Sequence, residues 1–307
     1  MLVRWIEENS VLRRPVRDGC SMAGRKVEPA APQAHYNNEA MMYVSSLPAY
    51  VNLRWAWLLV AAFLAGVLNA VAGGGSFLLF PAMLGMKMLP VQANATNTVA
   101  IWPGQLTSVA AYWGDVRKNM RLVAPMALAG LVGGTAGAVV LLNTPQMTFL
   151  HLVPWLLLVA ASIFAAAGPV SRWLERRNAA RRNGAAAPPI RLVPLALCTV
   201  FVSFYVGYFG AGAGFLFITL LSLFGLQDLN EINGLKMVTN TLANGVAFLI
   251  FVFDGQVVWR YCLLAMVTCA IGGYSSARFA RMVPQKVMRG LVVFIGFSMA
   301  AWFFWRQ

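Results

Sequence analysis

Between Arg54 and Lys87 the chain carries no charged side chain for 32 positions. Further uncharged runs cover 27 positions after Lys87, 50 after Arg121 and 36 after Arg191. Runs of 17, 17 and 16 follow Lys236, Arg260 and Arg289. A membrane-spanning helix needs about 20 mainly apolar residues, so this spacing predicts a polytopic, all-α membrane protein. Composition agrees, with 59% hydrophobic residues, 11% charged and a mean hydropathy of +0.66. So few charges cannot coat a water-facing surface, which excludes an ordinary soluble enzyme, a disordered chain and a secreted disulfide scaffold.

The formal charge of +14 raises the question of nucleic acid. The basic residues instead gather in the connections: Arg117, Lys118 and Arg121; then Arg172, Arg176, Arg177, Arg181, Arg182 and Arg191; then Arg278, Arg281, Lys286 and Arg289. Cytoplasmic loops of membrane proteins have this distribution, and no aromatic-basic platform accompanies it, so no nucleic-acid partner is expected. Cys20, Cys198, Cys262 and Cys269 have no CxxC spacing and suggest neither a disulfide framework nor a zinc site. Residues 1–53, mixed in charge with a Pro/Ala stretch, read as a disordered tail. Met41 and Met42, just ahead of the first span, offer alternative starts.

The remainder is an internal repeat. A glycine-rich break (Ala72-Gly73-Gly74-Gly75-Ser76-Phe77, then Gly210-Ala211-Gly212-Ala213-Gly214-Phe215) opens each half. A Thr-Asn-Thr triplet follows (96–98 and 239–241), then a Gly turn (113–116 and 254–257), then a double glycine (133–134 and 272–273). The offsets are 138, 143, 141 and 139, in constant order. The domains expected are therefore a tail over 1–53, a first repeat over 54–168, a basic linker over 169–190 and a second repeat over 191–307.

Each half opens with a stretch too long for one crossing: 32 residues of helix would run about 48 Å against a hydrocarbon core of about 30 Å. Helix-interior glycine costs roughly 1 kcal/mol relative to alanine, so the stretches divide into 55–72 with 76–86, and 192–209 with 214–226. Three ordinary spans follow each break, over 93–113, 122–142 and 148–168, then 233–253, 260–279 and 288–305. That gives about eight hydrophobic segments. If each broken segment crosses once, the halves are parallel and basic residues divide 12 inside to 5 outside; if the breaks are re-entrant, the halves are inverted and the division is 13 to 4. The positive-inside rule favours the inverted repeats.

Two features carry polar chemistry. Broken helices free backbone N–H groups and helix N-termini, which together bind anions. On that ground Gly73, Gly74, Gly75, Ser76, Gly210, Gly212 and Gly214 are candidate solute-binding residues, with Asn69 just ahead of the first break. By contrast Gly130, Gly133, Gly134 and Gly137 read as helix-packing positions. The polar stretches after each break add Asn94, Thr96 and Asn97, then Asn233, Lys236, Thr239 and Asn240, with Thr98, Thr241 and Asn244 beside them. These side chains can bind a polar solute or tie neighbouring helices together. Lys236 is the only charged residue between Glu231 and Asp254, and its first-half counterpart is Ala93. A lysine in a span costs about 2.5–3.5 kcal/mol on insertion scales, so it either faces solute or snorkels to the span's edge.

No paired carboxylates, HExxH, Ser/His/Asp order or P-loop is present, so neither catalysis nor ATP hydrolysis is expected, and no cofactor or metal. Asp115, Glu231 and Asp254 stand at span ends, which argues against strong proton coupling through a side chain.

The run Asn69-Ala-Val-Ala-Gly-Gly-Gly-Ser-Phe-Leu-Leu-Phe-Pro81 with Ala93-Asn-Ala-Thr-Asn-Thr98 resembles the first-half signature of the TauE/SafE sulfite exporter family. Gly207–Phe215, Asn233-Gly-Leu-Lys236, Asn244 and Gly272-Gly-Tyr-Ser-Ser-Ala-Arg278 with Pro284 agree in the second half. The resemblance covers about 54–306, and Asn97 and Thr98 depart from it, standing where smaller or more apolar residues are expected. It implies a multi-pass permease of the bacterial inner membrane for small sulfur-containing anions such as sulfite or organosulfonates, with the glycine runs lining the path. The partners expected are a small anionic solute and the lipid bilayer, with a homo-oligomer left open. The rival is a non-transporting scaffold or accessory subunit whose polar residues only hold helices together.

Overall fold

The computed structural model describes residues 51–72, 74–181, 190–226, 228–279 and 285–306, all in helices and short connections. Gly73, the disordered-tail expectation and the segment around Pro284 lie outside the described residues. The helices are α1 (Val51–Ala72), α2 (Ser76–Gly85), α3 (Pro90–Ala111), α4 (Trp113–Lys118), α5 (Met120–Leu142) and α6 (Gln146–Arg181). Beyond the linker come α7 (Leu192–Tyr208), α8 (Ala213–Leu223), α9 (Leu229–Phe253), α10 (Trp259–Phe279) and α11 (Gln285–Arg306). Met120–Leu142, Gln146–Ile163 and Asn230–Phe253 are long and apolar enough to cross a membrane, and shorter apolar helices accompany them.

Both breaks form where glycine permits them. At the second, Gly210 (φ 75°) and Gly212 (φ 77°) adopt left-handed backbone, which only glycine takes without strain. At the first, Gly75 folds back beside Ala65, where a methyl group would run into the Ala65 carbonyl. Pro90 starts α3 from its first turn, the place where a missing N–H costs nothing. Two details differ from the sequence reading. Trp113–Lys118 is a short helix instead of a turn, whereas Gly255 (φ 74°) does make one. In that helix Lys118 donates to Asp115 at 2.7 Å, which raises its pKa above the ordinary lysine value. In addition α6 runs on to Arg181, through most of the expected linker, because its Ala, Arg, Leu and Glu residues are strong helix formers.

Glycines set the tightest contacts. A methyl at Gly133 would meet the Val200 carbonyl, at Gly137 the Phe204 carbonyl, and at Gly272 the Phe63 carbonyl. So α5 lies against α7 and α10 against α1, backbone on backbone, as small residues allow between membrane helices. The senses of these pairs are readable. Along α1 and α10, Trp55 meets Tyr261, Ala62 accepts from Cys269 and Gly66 lies by Gly273, so the two run parallel. Gly133 by Val200 and Gly137 by Phe204 make α5 and α7 parallel as well. Between α3 and α9 the order reverses: Trp102 stacks on Phe248, Gln105 meets Asn244, and Tyr112, just past α3, lies by Gly234, so they run antiparallel.

Candidate functional site

The first break, the second break, α3 and α9 converge on one cavity. Asn69 and Ser76 reach it from the first break, and Phe209, Gly210, Ala213 and Gly214 from the second. The remaining wall is Thr98, Ile101 and Gln105 of α3 with Asn240 and Asn244 of α9. The N-terminal ends of α2 and α8 both stand at this wall, so two positive helix ends face one small space. The Gly214 N–H has no hydrogen-bond partner among the described residues. Room for a water centre amounts to about 20 Å³, enough for one or two waters.

The lining is neutral and hydrogen-bonding. Asn244 Nδ2 donates to Gln105 Oε1 at 3.2 Å, a buried amide pair that bridges α9 and α3. Asn97 Nδ2 donates to Ser76 Oγ at 3.1 Å, while the buried Asn97 Oδ1 and Asn240 Oδ1 meet no protein donor among the described residues. Such an orphaned buried oxygen costs about 1–3 kcal/mol unless something else supplies a proton.

Lys236 lies one helical turn before Asn240, on the same face of α9. It is only 4% exposed, and its ammonium donates to Asn233 Oδ1 at 2.8 Å. No carboxylate among the described residues is within ion-pair distance of it. A buried cation held by a neutral amide alone is an incomplete electrostatic site.

The other candidates are placed as follows. Gly74 and Gly75 are buried at the first break, Gly75 pressed against α1. Gly212 is the residue before α8 and turns the chain into it. Asn94 Nδ2 donates to the Tyr208 carbonyl at 3.0 Å, tying α3 to the end of α7. Thr96 Oγ1 accepts from Val258 N–H at 3.1 Å, and Thr239 Oγ1 donates to the Leu235 carbonyl at 2.9 Å beside Gly130. Thus Asn69, Ser76, Gly210, Gly214 and Asn240 share the cavity wall, Asn97 and Lys236 stand next to it, and Thr96 and Thr239 secure helices. Gln105, Ile101, Phe209 and Ala213 escaped the sequence reading. Gln105 could have been found, because it lies seven residues after Thr98 and therefore on the same face.

Residues 58–303 match the model of the family described as sulfite exporter TauE/SafE. This chain belongs to the TauE/SafE family. Among its relatives, a probable membrane transporter protein of a Sinorhizobium species, ORF9, is 29% identical over 80% of this chain and 90% of its own length. The probable membrane transporter YfcA of Escherichia coli K12 is 26% identical over 80% of this chain and 87% of its own length. A probable membrane transporter of Haemophilus influenzae is 25% identical over 80% and 92%. No solved structure is significantly similar to this chain. As a TauE/SafE member with long apolar helices, the chain is a membrane protein of a transporter family, and its cavity lies inside the stretch that defines the match.

Proposed function

We propose that this protein is a secondary permease of the bacterial inner membrane that moves small sulfur-containing anions such as sulfite or organosulfonates, without catalysing a reaction on them. The solute sits between the two glycine breaks. The observation that carries this reading is Lys236: a buried lysine one turn before the cavity-lining Asn240, its ammonium held by Asn233 and with no carboxylate beside it among the described residues. An anion in the cavity supplies the missing charge, and the N-terminal ends of α2 and α8 add partial positive charge from two further directions.

The same reading makes the halves inverted repeats with re-entrant breaks. The short helix α4 links α3 to α5, and Gly130 by Thr239 with Gly134 by Ala243 makes α5 parallel to α9 and therefore antiparallel to α3, while a five-residue connection joins α9 to α10. The parallel pairs α1/α10 and α5/α7 and the antiparallel pair α3/α9 support this reading, in which α1 and α7 point in opposite directions. Since α1 and α3 then share one direction, α2 must return between them, which fits Gly75 folded back beside Ala65. All three basic clusters fall on one side in this arrangement, the cytoplasmic side by the positive-inside rule.

Flux tests the function. Purified protein in liposomes should move sulfite or a small sulfonate down its gradient, and folded protein that moves none of these anions would contradict the reading.

A further inference from the structure

Resting on the reading of this cavity as an anion site, we infer that the solute it takes is a monoprotonated oxyanion, carrying one O–H and one net negative charge, and that the cavity reads the proton as well as the charge. The wall holds four primary amides, from Asn69, Gln105, Asn240 and Asn244, and two hydroxyls, from Ser76 and Thr98. No lysine, arginine or carboxylate among the described residues is part of it. An amide brings a carbonyl oxygen together with its NH₂ group, so such a wall offers acceptors as well as donors.

The amide pair sharpens this. While Asn244 donates to Gln105, the pair retains the Gln105 NH₂ and the Asn244 carbonyl for other partners. Were both amides turned over, the pair would retain the Asn244 NH₂ and the Gln105 carbonyl. Either way one acceptor remains. Asn240 lines the wall, while its Oδ1 and that of Asn97, beside Ser76, are buried within the surrounding helices without a protein donor among the described residues. A fully deprotonated oxyanion has only lone pairs to offer, so it would leave the remaining acceptor of the Gln105–Asn244 pair unmet and add repulsion. A solute with one O–H satisfies that acceptor, and its remaining oxygens take the amide N–H groups and the Gly214 N–H. Selection for a missing hydrogen-bond partner in a buried polar site is strong.

The consequence bears on coupling. A proton crosses with each solute molecule, bound to the solute itself, and no titrating side chain within the spans is needed to carry it.

The experiment measures binding to the purified full-length protein at several pH values spanning the second ionisation of sulfurous acid. Hydrogen sulfite/sulfite is titrated, with methanesulfonate, a monoanion with no O–H at any of these pH values, as the internal reference. The ratio of the two affinities cancels any titration of the protein. Total sulfite affinity relative to methanesulfonate should fall about tenfold for each pH unit above that ionisation, tracking the monoprotonated form. In the double variant Gln105→Leu/Asn244→Leu, the preference for hydrogen sulfite over methanesulfonate should shrink by about tenfold. A ratio that stays flat or rises with pH overturns the inference while leaving the anion site standing, as does binding that requires sodium at every pH. Absence of binding by either anion overturns the anion site itself, and the inference with it. The wild-type ratio decides the matter if the variant fails to fold.

Discussion

Replacing Lys236 by methionine is the sharpest test of the anion reading, because it removes one charge and little else. Lys236 extends its ammonium to Asn233 Oδ1, seven residues before the cavity-lining Asn240 on α9, so a bound anion lies about 10 Å from it along the axis. At an effective dielectric constant of about 20, two unit charges about 10 Å apart attract by about 1.7 kcal/mol. Losing that attraction weakens a monoanion roughly 15-fold, and a dianion by about twice the free energy. Methionine keeps the length and the apolar stem, and deleting a membrane-buried charge eases insertion instead of hindering it, so the folded yield should hold. Lys236→Arg keeps the charge but presents a planar fork where Asn233 Oδ1 meets a compact ammonium, and partial affinity is expected. The assay is equilibrium binding of sulfite and methanesulfonate, followed by uptake into liposomes at matched folded amounts. Wild-type affinity in Lys236→Met would refute the reasoning and leave the helix ends at the two breaks as the sole source of positive potential.

Other consequences follow from the packing. Gly133→Ala puts a methyl into the Val200 carbonyl and the Ser203 side chain; rigid backbone cannot yield as a side chain can, so a loss of about 1–3 kcal/mol is expected, read as a lower unfolding temperature in detergent. Gly114→Ala, whose added methyl meets open space, should leave that temperature unchanged or raise it. Ala213→Leu fills a cavity with room for only one or two waters and should abolish anion binding while the protein remains folded. For topology, a cysteine at exposed Lys118 should label from the cytoplasm and one at exposed Asp254 from outside, once the native cysteines are removed; the reverse assignment of either site would dismantle the inverted arrangement.

How far the sequence reaches depends on whether the controlling physics is local. The helical, membrane-spanning character follows from the spacing of charges, since each uncharged run must find apolar surroundings whatever its neighbours are. The two breaks are local in the same way: consecutive glycines weaken helix wherever they stand, and Gly210 and Gly212 take the left-handed backbone that glycine alone accepts readily. Polarity in the middle of an apolar run equally marked Asn69, Ser76 and Asn240 as candidates. What those residues touch is a different matter. Thr96 and Asn97 are adjacent in sequence and alike in chemistry, yet Thr96 caps Val258 and Asn97 bonds Ser76 at the cavity's edge. Neighbours on a helix point about 100° apart, and which direction meets the cavity is set by how α3 lies against α9 and α10. Gln105 and Asn244 are 139 positions apart, and no property of either residue alone foretells their pairing. Burial of Lys236 beyond the reach of any described carboxylate depends likewise on the whole bundle, because only the packed helices determine whether a lysine near a span's end can extend to water.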